Sequence, residues 1–253
     1  MLSPALVATR KVKRLIDLGA AIRANTGHPV ERRGQSLPGP RFSNSDALVR
    51  EHFAKWSEPD HVNFTSLMET LGRLNRRPSA IIETGSSAWG TNSSRLFDRY
   101  VDSFGGKFWS VDIRLGPLLE LRRELTSNSV LSCDDSVRFL RRWVVQHPGQ
   151  RADLVYLDSW DLDARNPLPA AAHGIQEFFA IAPALKDGAL LLVDDTPATP
   201  DLLPMSQREA AQMFFDDYGL VPGKGMLLGE YLGSRGNVTK VHHHYQVLYQ
   251  FDG

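Results

Sequence analysis

A single cysteine, Cys133, occurs among 253 residues, so no disulfide can form within the chain. This fits a reducing compartment, and the cytoplasm is the expected location. Cys133 also lacks the Cys and His company of a structural zinc site, and it reads as a small buried apolar residue. A surplus of either charge is missing too: 29 basic and 29 acidic residues cancel. That argues against nucleic acid or an anionic membrane as the main partner, since both reward excess Lys and Arg. The pairs Arg32-Arg33, Arg122-Arg123 and Arg141-Arg142 read as solvated helix faces. No run approaches the ~18–20 apolar residues of a membrane span. The opening Leu2 to Val7 precedes its basic residues, Arg10 and Lys11, the reverse of a secretory signal.

What is present is an ordinary globular composition, 42% hydrophobic and 23% charged, long enough to bury a sizeable core. Residues 4–24 carry helical periodicity, with Ser3 as cap and Pro4 in the first turn. Residues 26–45, rich in Gly, Pro, Ser, Asn and Arg, read either as a loop or lid in which Arg32, Arg33 and Arg41 could meet an anionic or sugar substrate, or as a disordered linker. Residues 46–75 read as helical again. Residues 1–75 are thus expected to form a helical appendage, and 76–253 the main domain.

From residue 80 short apolar runs alternate with helix-length segments. Ala80–Thr84, Phe108–Asp112, Val130–Cys133, Leu154–Asp158 and Ala189–Val193 read as strands. Residues 91–104, 116–126, 135–147 and 168–185 read as helices. This predicts an α/β fold, a Rossmann-like, seven-stranded, mostly parallel sheet. Gly225–Leu232 and Val241–Phe251 read as a closing antiparallel hairpin at the sheet edge, turning through Gly233 to Asn237.

Ligands of such sheets sit beyond the carboxyl ends of the strands. The segment from Glu83 through Gly85, Ser86, Ser87 and Gly90 to Asn92 and Ser93 leaves a strand and opens a helix there. It lacks the third glycine of the dinucleotide fingerprint, which disfavours NAD. Asp112 ends the next strand about 20 residues beyond Gly90, the spacing at which an acid grips ribose hydroxyls. Together these features point to a bound nucleoside.

Over about residues 80–250 the sequence resembles the class I S-adenosylmethionine-dependent methyltransferases. The resemblance rests on the Glu83 to Gly90 turn, on Asp112, on the acidic turn Asp134-Asp135-Ser136 after the third strand, and on the closing hairpin. It implies that Glu83, Gly85 and their neighbours hold the methionine part, Asp112 the ribose, and Asp135 with Ser136 the adenine. The glycine turn is one residue longer than the family's common pattern.

The fourth strand ends in Leu157-Asp158-Ser159-Trp160-Asp161 and the fifth in Val193-Asp194-Asp195. Adjacent parallel strands would crowd Asp158, Asp194 and Asp195 at one rim, where they repel unless a cation sits among them. Hard oxygen donors suit Mg²⁺, Mn²⁺ or Ca²⁺. Aspartates at strand ends also cap helices without metal. The arrangement resembles the divalent-metal-dependent O-methyltransferases, the catechol O-methyltransferase kind and relatives acting on macrolide sugars. The resemblance implies a metal on Asp158, Asp194 and Asp195, with Asp195 where the catechol enzyme has Asn. It also implies a role for Asp158 beside the cofactor, and a general base three residues beyond it. That position holds Asp161 instead of the family's Lys or His, with Asp163 and His173 as nearby alternatives.

The expected activity is therefore metal-assisted O-methylation of a hydroxylated small molecule, by a monomer or a homo-oligomer. Alternatives are a cephalosporin hydroxylase-like oxygenase, for which no His-rich iron triad is evident, and a nucleoside-binding member of the fold without chemistry. His242-His243-His244 reads as edge-strand surface, Tyr156 as core, Trp89 as pocket lining, and Trp160 as either.

Overall fold

The computed structural model describes residues 42–75, 79–86, 90–185 and 187–252. The helix expected over 4–24, the arginines of the loop at 32, 33 and 41, and Ser87 and Trp89 lie outside the described residues.

Seven strands form one sheet in the order β3-β2-β1-β4-β5-β7-β6. They are β1 (Ser79–Thr84), β2 (Gly106–Asp112), β3 (Ser129–Cys133), β4 (Leu154–Leu157), β5 (Leu190–Val193), β6 (Val238–His243) and β7 (Val247–Phe251). The first five pair in parallel, and β7 runs antiparallel to both β5 and β6. The central strands are apolar on both faces, as parallel strands covered on both sides must be. Ile81, Phe108, Tyr156 and Leu192 face one core cluster, and Ile82, Trp109, Val155 and Leu191 the other.

Eight α-helices flank the sheet among the described residues: α1 (Ser45–Trp56), α2 (Phe64–Leu74), α3 (Ser93–Phe104), α4 (Leu115–Glu124), α5 (Ser136–Gln146), α6 (Leu168–Ile181), α7 (Met205–Tyr218) and α8 (Met226–Gly233). The stretch expected to be helical over 46–75 is two helices. Pro59 cannot continue a helix, and the loop it opens, residues 57–63, reaches the site described below. Both helices bury their apolar faces (Leu48, Val49, Phe53; Leu67, Leu71, Leu74) in the cluster that holds Leu96, Phe97 and Tyr100 of α3. Asn44 caps α1 by accepting from Ala47 N at 2.7 Å.

The closing hairpin differs from expectation. The run from Gly225 to Leu232 is mostly α8, whose Leu228 and Leu232, one helical turn apart, are buried beneath the sheet. The hairpin is β6 and β7, turning at His244-Tyr245-Gln246 inside what reads as one strand. The antiparallel strand β7 is therefore internal, and β6 is the edge. Helix α7 is also absent from the sequence expectation.

Candidate active site

The parallel strands end at one rim, where the register aligns their last residues. Thr84 pairs with Leu157, and Leu157 with Val193, so the next residues, Asp158 and Asp194, stand side by side. Each continues the ladder by one bond: Asp158 N donates to Thr84 O at 3.0 Å and Asp194 N to Leu157 O at 3.0 Å.

The glycine turn begins at Glu83, which is fully buried. Its carboxylate accepts from Ser93 Oγ at 2.5 Å, from Ser94 Oγ at 2.5 Å and from Ser110 Oγ at 2.6 Å. Burial pushes its pKa up to about 7, against the pull of these hydroxyls. Ser86 Oγ lies 2.6 Å from Ser110 Oγ. Gly85, at φ +81°, could carry no side chain, because a Cβ would lie 2.3 Å from the carbonyl oxygen of Asp158. Its first use is thus the close approach of β1 to β4.

The far end of the turn is gripped by α1 and the loop that joins it to α2. Ser57 Oγ donates to Gly90 O at 2.5 Å, and the His52 ring nitrogen Nε2 meets Thr91 O at 2.8 Å. Asn63 Nδ2 donates to Thr91 Oγ1 at 2.9 Å. A Cβ on Gly90 would lie 2.8 Å from His61 Nε2. Asn92 Nδ2 donates to Trp56 O at 2.6 Å, and its Oδ1 accepts from Arg95 Nη1 at 2.6 Å.

Asp112 ends β2 with its carboxylate buried under Arg114, whose Nη2 lies 2.6 Å from Oδ2 and whose Nε lies 2.9 Å from Oδ1. After β3, Asp134 is buried between Arg138 and Arg142, so Arg142 is not merely a solvated helix residue. Asp135 caps α5 by accepting from Arg138 N at 2.9 Å. Ser136 Oγ lies 2.9 Å from His173 Nε2, and the half-exposed Trp160 ring packs 5.3 Å from the His173 ring. Trp160 takes φ +67°, rare for so bulky a residue, which turns its ring out at the rim.

Asp158, Asp194 and Asp195 each offer a carboxylate oxygen within 4.8 Å of the others, among the described residues. Alternation along a strand would point Asp194 and Asp195 apart. Asp195 adopts φ +41° just past β5, breaking that alternation. Four further side chains complete the cluster. Lys224 Nζ lies 2.7 Å from Asp158 Oδ1 and 3.2 Å from Asp195 Oδ2. Tyr245 OH donates to Asp195 Oδ1 at 2.7 Å. Gln246 Nε2 donates to Asp194 Oδ1 at 2.7 Å, and Asn63 Nδ2 to the same oxygen at 3.4 Å. Burial and the neighbouring Asp194 charge push Asp158 well above the usual carboxylate range. Burial opposes the charge on Asp194 too, yet Lys224, the hydrogen bond with Asp158 and that with Gln246 hold it below that range. Burial would lower Lys224, but the three carboxylates hold it well above the ordinary lysine value.

Asp161 is exposed on the loop that follows β4, where its charge acts on Arg114. Asp163 is exposed and accepts from Arg165 N at 3.0 Å within its own turn. His173 is shared between Ser136 and Glu177, the latter at 3.5 Å. The residues absent from the sequence reading are His61, Asn63, Lys224, Tyr245 and Gln246. Pro59 signalled the first pair, as a break in helix that exposes a loop. The Gly223-Lys224-Gly225 triplet was the signal for Lys224.

No protein-family model matches the sequence, and no curated protein matches it. Solved structures match by fold. The MycE methyltransferase from the mycinamycin biosynthetic pathway, in complex with Mg and SAH, aligns at TM-score 0.55 and 18% identity, covering 85% of this chain and 56% of that one. The same enzyme with Mg, SAH and mycinamycin VI aligns at TM-score 0.54 and 18% identity, again over 85% and 56%. The chain thus spans little more than half the length of these MycE structures. Strand order, the internal antiparallel β7 and this likeness establish a Rossmann-like methyltransferase fold.

Proposed function

We propose that this chain is an S-adenosylmethionine-dependent O-methyltransferase that uses a divalent ion and acts on a hydroxyl of a small molecule, in the cytoplasm. The observation that carries the reading is convergence. Glu83, Asp112, Asp158, Asp194 and Asp195 all meet at the carboxyl rim of one doubly wound sheet, where such folds bind nucleosides. The MycE structures, of like fold, hold SAH and Mg.

The residues fit both groups. The Asp112 carboxylate can exchange its two side-chain donors from Arg114 for two ribose hydroxyls: the arginine side chain is half exposed, and its one other hydrogen bond among the described residues is from Nη2 to Ser86 O at 3.2 Å. Glu83 and the turn around Gly85, Ser86, Gly90 and Ser93 would hold the methionine end, and Asp135 with Ser136 the adenine beside the exposed Trp160 ring. Ser93 acts there by fixing Glu83. Three hard carboxylates within 4.8 Å suit Mg²⁺ or Mn²⁺, and the Lys224 ammonium among them shows that the pocket takes positive charge.

When bound, S-adenosylmethionine supplies an electrophilic methyl group, and a divalent ion supplies positive charge that acidifies a substrate hydroxyl. The chain does the rest. Asp158, Asp194 and Asp195 would hold the ion; Gln246, Tyr245 and Asn63 fix the carboxylates of Asp194 and Asp195 in place. Asp161, three residues beyond Asp158 at the open edge, takes the hydroxyl proton. The turn residues align donor and acceptor, and positioning of this kind supplies much of a methyl transfer's rate. The converging carboxylate set gives no support to the oxygenase alternative. Transfer of labelled methyl from S-adenosylmethionine to a panel of catechols, sugars and polyketide hydroxyls tests the reading. Product formation that stops in excess chelator is expected; full activity in chelator would remove the metal from it.

A further inference from the structure

Lys224 reaches the carboxylates from the loop between α7 and α8, and the chain is shaped to bring it there. Its backbone N donates to Asp195 O at 3.0 Å, and Gly225 N to Thr196 Oγ1 at 2.9 Å. A Cβ on Gly223 would lie 2.9 Å from Asp195 O, one on Gly225 2.9 Å from the Thr196 side chain, and one on Gly174 of α6 2.7 Å from Lys224 O. Gly223 and Gly225 therefore let this segment lie directly on the exit of β5, and Gly174 lets α6 close against it. The lysine is 3% exposed, and its ammonium touches Asp158 and Asp195 at 2.7 and 3.2 Å.

A divalent ion bound by the triad would take one oxygen from each carboxylate at roughly 2.0–2.6 Å, which brings it within a few ångströms (~3–5 Å) of the ammonium that already touches two of them. At such separations a +1 and a +2 charge repel strongly in a buried pocket. Resting on the metal reading above, we propose that Lys224 is the resident cation of the triad and that a divalent ion binds only by displacing its ammonium. Lys224 then keeps three crowded carboxylates folded in the absence of metal, and sets how much free ion the site requires.

Mn²⁺ binding followed by electron paramagnetic resonance tests this on the full chain, for wild type, Lys224→Met and Lys224→Gln, together with melting curves at increasing Mn²⁺. Both variants should bind Mn²⁺ at least about tenfold more tightly than wild type and gain more thermal stability from it. Equal or weaker binding by the variants overturns the competition and leaves the metal reading standing; no binding by any of the three overturns both. Should the variants fail to fold, crystals of the wild type soaked in Mn²⁺ decide. Manganese at the triad with Lys224 Nζ moved off Asp158 supports displacement, and manganese beside an unmoved Lys224 contradicts it.

Discussion

Gln246 Nε2 lies 2.7 Å from Asp194 Oδ1, and both side chains are buried. The same nitrogen donates to Tyr156 OH at 2.9 Å, and the amide oxygen accepts from Ser66 Oγ, so the group is fully committed. It links the hairpin turn, helix α2 and the carboxylate rim. Gln246→Leu leaves Asp194, Ser66 and Tyr156 each short of a partner. We expect a loss of about 1–3 kcal/mol in urea unfolding. An unchanged midpoint would show that the bond does not hold Asp194.

Glu83 couples the glycine turn to pH. Its folded pKa, about 7, stands above the ordinary 4.5 because the carboxyl is buried. The folded chain thus holds this proton more tightly than the unfolded chain. The resulting stability is fully present below pH 4.5 and is lost as pH rises through 7. The interval corresponds to roughly 3 kcal/mol. Glu83→Gln keeps the shape without the charge, so its stability should decline less than that of wild type across this window, while cofactor binding weakens. Urea unfolding at a series of pH values checks it; parallel curves for the two proteins would contradict it.

Asp161→Asn should lower kcat by about 10²–10⁴-fold and leave KM for S-adenosylmethionine unchanged, as expected for loss of a general base. Asp163→Asn should leave both constants near wild type, since that side chain serves its own turn. Initial rates decide. An unaffected kcat in Asp161→Asn moves the proton to another acceptor.

Two glycines should respond oppositely to alanine. At Gly85, with φ +81°, the new Cβ meets backbone of Asp158 that cannot yield, and a loss of more than about 2 kcal/mol is expected. At Gly233, the last residue of α8, nothing lies within 4 Å of the added Cβ, and a gain of about 0.4–1 kcal/mol is expected. Thermal melting of the two variants gives both signs.

The parallel half of the sheet was legible because β1 to β5 are short apolar runs closed by acids or turn residues. The site acids were legible because such sheets place chemistry at strand ends, and Asp112, Asp158 and Asp194 are the residues there. The closing half was not. Met226, Leu227, Leu228, Tyr231 and Leu232 make an apolar run whose length suits strand or helix, and only the burial of Leu228 and Leu232 one turn apart separates the two. His244-Tyr245-Gln246 turns without Gly or Pro, so Tyr245 and Gln246 stayed hidden inside an apparent strand. Lys224 and Asn63 act across the fold, on partners that no sequence spacing relates.

The central claim is that the rim holds S-adenosylmethionine with Asp112 on its ribose. Calorimetric titration of wild type and Asp112→Ala with S-adenosylmethionine tests it most directly. Saturable one-to-one binding is predicted for wild type, weakened about 10–100-fold in Asp112→Ala, the value of one or two hydrogen bonds to a charged acceptor. Absence of binding by the wild-type chain, or equal affinity in the two proteins, would contradict the account.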